Sequence, residues 1–229
     1  MKKSLEHVRV FRTLAPERRA AIEKQCTWRQ VPTGALIVAH EDPSRAVYFL
    51  AQGRARSLIY AASGTIVGFG DLVAGSMFGE VAAIDGQPRT VGVEAIDVCT
   101  VASLSADAFL GLVRHEPDFA LTVLEQIARN IRALTARVFE FSTLPVANRL
   151  HAELLRLADV PAKGPANTAP LRMTPTHAEF AARISTHREA VTRELNRLLK
   201  SGVLMKVPKG LVIADIDKLR ALLTNATKG

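Results

Sequence analysis

Between Val31 and Ala102, short apolar runs alternate with turn residues. Ala35–Val38, Ala46–Leu50, Ser57–Tyr60, Thr65–Val67, Val91–Val93 and Val98–Val101 predict strands, with breaks at Pro32–Gly34, Gln52-Gly53, Ser63-Gly64 and Gly68–Asp71. Many short strands at close spacing predict a sandwich or roll. At Pro117, well placed in a first helical turn, the period changes to that of a helix running to about Ser142. Its apolar positions Leu124, Ile127, Ile131, Leu134, Val138 and Phe141 are spaced 3, 4, 3, 4, 3, which is a heptad seam. Arg129, Arg132 and Arg137 are expected to leave the opposite face solvated. A seam this narrow predicts a parallel two-helix coiled coil between two copies of the chain, and so a homodimer with two-fold symmetry.

The tail carries a different pattern. A helix is expected from Leu144-Pro145 through Leu157, then a loop from Asp159 to Pro170. Thr176 with Glu179 three residues later forms a capping-box signature. It precedes a short helix (Ala178 to Ile184), a turn at Ser185-Thr186 and a second helix from His187 to Lys200. Phe180, Ile184, Val191, Leu195, Leu198 and Leu199 supply the apolar contacts of a helix-turn-helix. Gly202 to Ile213, turning near Pro208-Lys209-Gly210, reads as a hairpin wing. The expected fold is therefore α+β. A jelly-roll-like β-roll spans 1–116, a coiled-coil dimerisation helix 117–142 and a winged helix-turn-helix 143–229.

Candidate chemistry concentrates in Phe78–Thr90, which combines a glycine turn, a short apolar helix, one carboxylate (Glu80) and one guanidinium (Arg89). A fixed cation beside free backbone N–H groups suits one phosphate, and a nearby carboxylate suits a sugar hydroxyl. Glu80 and Arg89 can also simply pair with each other, an arrangement that says little about function.

The segment resembles the phosphate-binding cassette of cyclic-nucleotide-binding domains: Phe78, Gly79, Glu80, Pro88, Arg89 and Thr90 match its pattern, and Gly34, Gly53, Gly75 and Gly79 match the recurring glycines of that β-roll. His40-Glu41-Asp42 departs from it, where the family often carries glycine. Over nearly its whole length the chain resembles the bacterial cyclic-AMP receptor and fumarate–nitrate regulator (Crp/Fnr) superfamily of transcription factors. That resemblance implies a ligand, cAMP or cGMP, bound by Gly79, Glu80, Val81, Ala82, Arg89 and Thr90. Arg89 and the N–H groups of the short helix would face the phosphate, and Glu80 the ribose 2′-OH. On this reading Arg89→Ala abolishes the ligand response and leaves the fold intact. In the family two adjacent hydroxyl residues on the long helix reach the purine. Leu134 and Thr135 fall there, and only Thr135 keeps the hydroxyl. Thr90 keeps cGMP in play beside cAMP, because related domains with Thr after the cassette arginine often accept it.

The resemblance also implies double-stranded DNA with an inverted-repeat site as partner. It further implies a second copy of the chain, RNA polymerase and a cytoplasmic location. The second helix carries the family pattern Arg-Glu-x-Val-x-Arg as Arg188, Glu189, Val191 and Arg193. Arg pairs bidentately with guanine O6 and N7, and Glu accepts from a cytosine amino group. Thr176, His187, Arg188, Glu189, Thr192, Arg193 and Lys209 are the expected DNA-contacting residues. The alternative for this face is a solvated i to i+4 pair between Glu189 and Arg193.

Charge agrees with that division. Residues 143–229 hold 14 Lys or Arg against 7 Asp or Glu, nearly the whole of the net +8, as a phosphate-backbone partner requires. A chain of 229 residues with 48% hydrophobic content has room for a sensor and a small output domain. The start of the chain lacks a signal peptide's apolar run, and no run is long enough to span a bilayer, so no membrane partner is expected. Two cysteines, Cys26 and Cys99, are too few for a four-cysteine iron–sulfur cluster, and the six histidines show no ligand spacing, so neither metal nor haem is expected. Gly68-Phe69-Gly70 is not a dinucleotide fingerprint, and Gly75–Gly79 lacks the central serine spacing of a nucleophile elbow. An enzyme is not expected.

Overall fold

A computed structural model describes residues 4–62, 64–158, 167–208 and 210–225 of the chain. These residues divide into two compact units. The first holds the chain up to Arg132 apart from 65–68, and the second holds the remainder.

Up to His115 the chain forms a 3-10 turn (Arg9–Phe11) and α1 (Pro16–Gln25), then β1 (Thr27–Val31), β2 (Leu36–Val38), β3 (Val47–Gln52), β4 (Arg54–Tyr60), β5 (Ile66–Val73), β6 (Met77–Phe78), α2 (Glu80–Asp85), β7 (Gly92–Ala95), β8 (Cys99–Leu104) and α3 (Ala106–His115), all in the first unit but for the start of β5. The strands form two four-stranded sheets in the orders β1-β8-β3-β6 and β2-β7-β4-β5. The period of two decides what each face meets. Along β8, Cys99 and Val101 join a core with Val31, Val38, Leu50, Phe78 and Val93, drawn from both sheets. Ala102 and Leu104, on the other face, join Phe11, Ile22, Phe109, Phe119 and Val123 of the covering helices. Phe11, Phe49, Phe109 and Phe119 form a linked aromatic group in this second core.

Two strand expectations need correction. The roll begins before Val31, with Thr27–Val31 paired antiparallel to β8. Gly68–Asp71 is not a break: β5 runs through it to Val73. β5 is an edge strand, where glycine costs the ladder least. At the departure His40-Glu41-Asp42 the turn forms with Glu41 at φ +63°, in the left-handed region that glycine would occupy without strain.

The long helix α4 spans Pro117–Thr143. Its seam differs in part from expectation. Leu124, Ile131, Leu134 and Val138 are exposed, joined by Leu121 and Phe139. Ile127 instead packs against the first unit's core, and Phe141 lies under the Arg149 guanidinium. The exposed heptad stripe is Leu121, Leu124, Ala128, Ile131, Thr135 and Val138. Arg137 is not on a solvated face: it is mostly buried, donates to the Arg183 carbonyl at 2.9 Å and lies 3.7 Å from Glu153.

The second unit continues with α5 (Val146–Leu157), β9 (Ala169–Pro170), α6 (His177–Arg183), α7 (Arg188–Lys200), β10 (Leu204–Val207), β11 (Gly210–Ile213) and α8 (Ile216–Asn225). Pro170, expected in a loop, belongs to a strand paired with β11. Most of the loop itself lies outside the described residues. The three strands order as β10-β11-β9, and the hairpin closes with Val207 opposite Gly210. Phe180, Ile184, Val191, Leu195 and Leu198 share one core with Leu150, Leu154, Ile213 and Leu219. The capping box at Thr176 forms in full. Ser185, at φ +50°, turns the chain between α6 and α7.

Candidate functional site

The Phe78–Thr90 segment folds as a strand end, a left-handed glycine, one and a half helical turns and a return loop. Gly79 sits at φ +84° as the N-cap of α2. A Cβ there would run into the Arg89 guanidinium and lie 3.1 Å from the Ala46 carbonyl, so only glycine fits. Val81 is exposed and Ala82 buried on the short helix. Thr90 is exposed at a bend immediately after Arg89.

Arg89 is almost wholly buried, at 3% exposure. Nη1 donates to the Gly79 carbonyl at 2.8 Å, and Nη2 donates to the Ala46 carbonyl at 2.6 Å and to Ser44 Oγ at 3.3 Å. Its guanidinium lies over the Tyr48 ring, 5.4 Å from the centroid, and Tyr48 stacks in turn on Phe78 at 5.2 Å. The backbone of Arg89 is tied to the Glu41 turn, accepting from Glu41 N–H at 2.9 Å and donating to the Asp42 carbonyl at 3.0 Å. Its Nε is buried with no hydrogen-bond partner. Burial lowers its proton affinity, opposed by Tyr48, Asp42 and Glu80. A buried cation with one unpartnered N–H is a place for an anion.

These contacts correct one expectation. Arg89 is part of the scaffold as well as a candidate phosphate contact, so Arg89→Ala cannot leave the fold untouched. It strips the partner from two buried carbonyls, each costing about 1–3 kcal/mol when left unsatisfied.

Glu80, at 5% exposure, is also buried. Burial raises its pKa, while its own backbone N–H, the Gln126 side chain and the field of Arg89 act the other way. No ion pair joins Glu80 to Arg89 among the described residues, so the simple pairing open to this sequence is not what forms. The Arg89 charge acts on the Glu80 carboxyl, and each group keeps partners of its own.

The structure thus brings Gly79, Glu80, Val81, Ala82, Arg89 and Thr90 into one loop–helix–loop. Leu134 and Thr135 lie exposed on the part of α4 that belongs to the second unit. Ser44, Tyr48 and Gln126 were not legible as site residues. Nothing local in the sequence marks them, because each reaches the cassette from another element.

In the second unit His187 is the N-cap of α7, and Arg188, Glu189 and Arg193 are exposed on its first turns. Glu189 and Arg193 form no ion pair among the described residues; the nearby pair is Glu194 with Arg197 at 2.6 Å. Two expected contacts are engaged internally. The Thr176 hydroxyl accepts from the Glu179 N–H at 3.2 Å in the capping box and donates to the Glu179 carboxylate at 2.9 Å. The Thr192 hydroxyl donates to the Arg188 carbonyl at 2.9 Å and lies 2.7 Å from His177 Nδ1. Thr192 therefore pins α6 to α7. Lys209 lies outside the described residues.

Known proteins show the same order of parts. Residues 28–116 match the cyclic nucleotide-binding domain, and residues 148–222 match the Crp-like helix-turn-helix domain. The chain belongs to the Crp/Fnr superfamily. A CRP-like cAMP-activated global transcriptional regulator of Mycobacterium tuberculosis (strain H37Rv) is 26% identical over 226 residues, covering 96% of this chain and 98% of its own. The cAMP-activated global transcriptional regulator CRP of Salmonella typhimurium is 26% identical over 191 residues, covering 82% and 90%. Among solved structures, a mutant of CooA from Carboxydothermus hydrogenoformans superposes with a TM-score of 0.79 at 19% identity, covering 97% of each chain, a likeness of fold. This Crp/Fnr protein is accordingly a DNA-binding transcriptional regulator with a cyclic-nucleotide-binding domain, not an enzyme. No helix among its described residues is long and apolar enough to cross a membrane.

Proposed function

We propose that this protein is a homodimeric, cytoplasmic regulator whose affinity for an inverted-repeat DNA site is set by a cyclic purine nucleotide, cAMP first. The observation that carries this reading is the buried Arg89, whose Nε has no hydrogen-bond partner, in the same loop–helix–loop as the buried Glu80. The guanidinium takes the cyclic phosphate, backbone N–H groups from Glu80 to Ala82 add to the field there, and the Glu80 carboxylate accepts from the ribose 2′-OH. The likeness to cAMP-activated regulators of Mycobacterium tuberculosis and Salmonella typhimurium supports reading cAMP first. Exposed Thr90 supports cGMP as well, since its hydroxyl can meet a guanine amino group, and Leu134 withholds the hydroxyl that would favour adenine.

The exposed α4 stripe supports a parallel dimer in which Thr135 faces the partner helix. Nucleotide bound beside α4 resets that pairing. The two α7 helices then sit about one DNA turn apart, roughly 34–36 Å, with Arg188, Glu189 and Arg193 on base edges. RNA polymerase is the partner such a complex serves. Side-by-side calorimetric titration with cAMP and cGMP tests the reading: a saturable heat for one or both is expected.

One observation favours a second reading. Both Nη groups of Arg89 already serve Gly79, Ala46 and Ser44. A cassette kept only as structure, in a regulator answering another effector or none, would look the same in that respect. No heat and no change in melting temperature with either nucleotide would select it.

A further inference from the structure

Glu153 stands on α5 three residues after Leu150 and one before Leu154, both in the second unit's core, and is itself only 2% exposed. A buried carboxylate needs charged or hydrogen-bonding partners. Three guanidiniums supply them, each from a different helix. Arg156 of α5 donates to it at 2.6 Å, Arg183 at the end of α6 donates at 3.0 Å, and Arg137 of α4 lies 3.7 Å away. Arg156 also donates to Glu140 of α4 at 2.7 Å. The end of α6 is held a second time, through its backbone. Arg137 donates to the Arg183 carbonyl and Arg149 of α5 to the Ile184 carbonyl, each at 2.9 Å. These are carbonyls at a helix C-terminus, which lack intrahelical partners and favour a cation. Ser185 follows at once and turns the chain into α7.

We infer that Glu153 is a positioning residue for α7: it clamps α4, α5 and the end of α6 together, so that a change in the pairing of α4 is delivered to α7. The inference rests on the coupling of nucleotide to DNA proposed above. A buried ion network adds little net stability, and its best-attested use is to fix one arrangement of the parts it joins. Arg137 and Arg183 are like charges that converge on this one carboxylate. With its charge gone they repel, and the bond from Arg137 to the Arg183 carbonyl is left to hold α4 to α6 against that repulsion. The α6–α7 pair keeps its own packing through Phe180, Val191 and Leu195, but its direction no longer follows α4.

The experiment measures DNA affinity by fluorescence anisotropy on an inverted-repeat duplex, with and without a saturating concentration of the nucleotide, cAMP or cGMP, to which the wild type responds. It uses the full chain as wild type, Glu153→Gln and Arg137→Met. Glutamine keeps the size of the side chain but is neutral and turns an NH₂ toward one of the arginines. Methionine removes the cation that α4 contributes. In the wild type the nucleotide should tighten DNA binding about fivefold or more, and in Glu153→Gln that factor should fall to about twofold or less. A merely structural role would lower stability in urea and weaken DNA binding equally with and without nucleotide; an intact factor in folded Glu153→Gln overturns the inference. If Glu153→Gln does not fold, Arg137→Met decides by the same factor: a fall supports the clamp, and an unchanged value refutes it. A wild type whose DNA affinity ignores both nucleotides overturns the coupling proposal itself, a separate outcome read before either variant.

Discussion

Replacing Arg89 with Lys keeps the charge of the cassette and removes its shape. The native guanidinium makes bonds of 2.8 Å to the Gly79 carbonyl and 2.6 Å to the Ala46 carbonyl, sits over the Tyr48 ring at 5.4 Å from its centroid and leaves Nε unpartnered. A lysine ammonium has three donors but no planar fork. It can satisfy one or both carbonyls, yet it cannot also present a fixed N–H toward the phosphate. The lost charge-assisted bond is worth roughly 1.5–3 kcal/mol, so the dissociation constant for cyclic nucleotide should rise about 10- to 100-fold. Stability should fall less, by about 1–2 kcal/mol, if one carbonyl loses its partner. Arg89→Ala should fall further, because both carbonyls lose theirs. Calorimetric titration with cAMP and cGMP, run beside urea unfolding of the free protein, reads both effects. Wild-type affinity in a folded Arg89→Lys variant would refute the assignment of Arg89 as the phosphate contact.

Glu80→Gln should weaken cyclic-nucleotide binding about tenfold or more while making the free protein more stable at neutral pH. Burial raises the Glu80 pKa in the folded state, so the stability that goes with the protonated group is complete below the unfolded pKa and is lost as pH rises through the folded one. Unfolding curves of wild type and variant should therefore converge in acid and separate toward neutral pH; parallel curves would contradict the buried-carboxylate picture. Ile131→Asp, in the exposed stripe of α4, would put two unpaired carboxylates into the proposed dimer seam at several kcal/mol each, and sedimentation velocity should find monomer at micromolar concentration. Arg188→Ala should cost roughly 1–3 kcal/mol in specific DNA binding and relax base preference at one position of the site. An equal loss on every DNA sequence would make Arg188 a backbone contact.

Features set by residues close together in sequence were legible. The cassette needs Gly79 for its left-handed turn and Arg89 ten residues on, and both are visible as types at a spacing. The capping box at Thr176 and Glu179 is likewise a local device, and it forms as read. What escaped was decided by distant partners. The strand Thr27–Val31 carries mostly polar side chains, and only its pairing with Cys99–Ser103 makes it a strand. Arg137 has the composition of a solvated residue, but Glu153 and the Arg183 carbonyl draw it inward. Ile127 fits the heptad as well as Leu124 does, and the core beneath it claims it. Gln126 shows nothing in sequence, because its partner, the Met77 carbonyl, lies more than forty residues away.

The central claim is that nucleotide and DNA are coupled through this chain. Fluorescence anisotropy on an inverted-repeat duplex, selected by the protein from random sequence, measures the coupling directly when run with and without saturating cAMP or cGMP. The account predicts that one of them tightens DNA binding by about fivefold or more, and that the duplex tightens binding of that nucleotide by the same factor. Equal DNA affinity with both nucleotides present, absent or exchanged would contradict it.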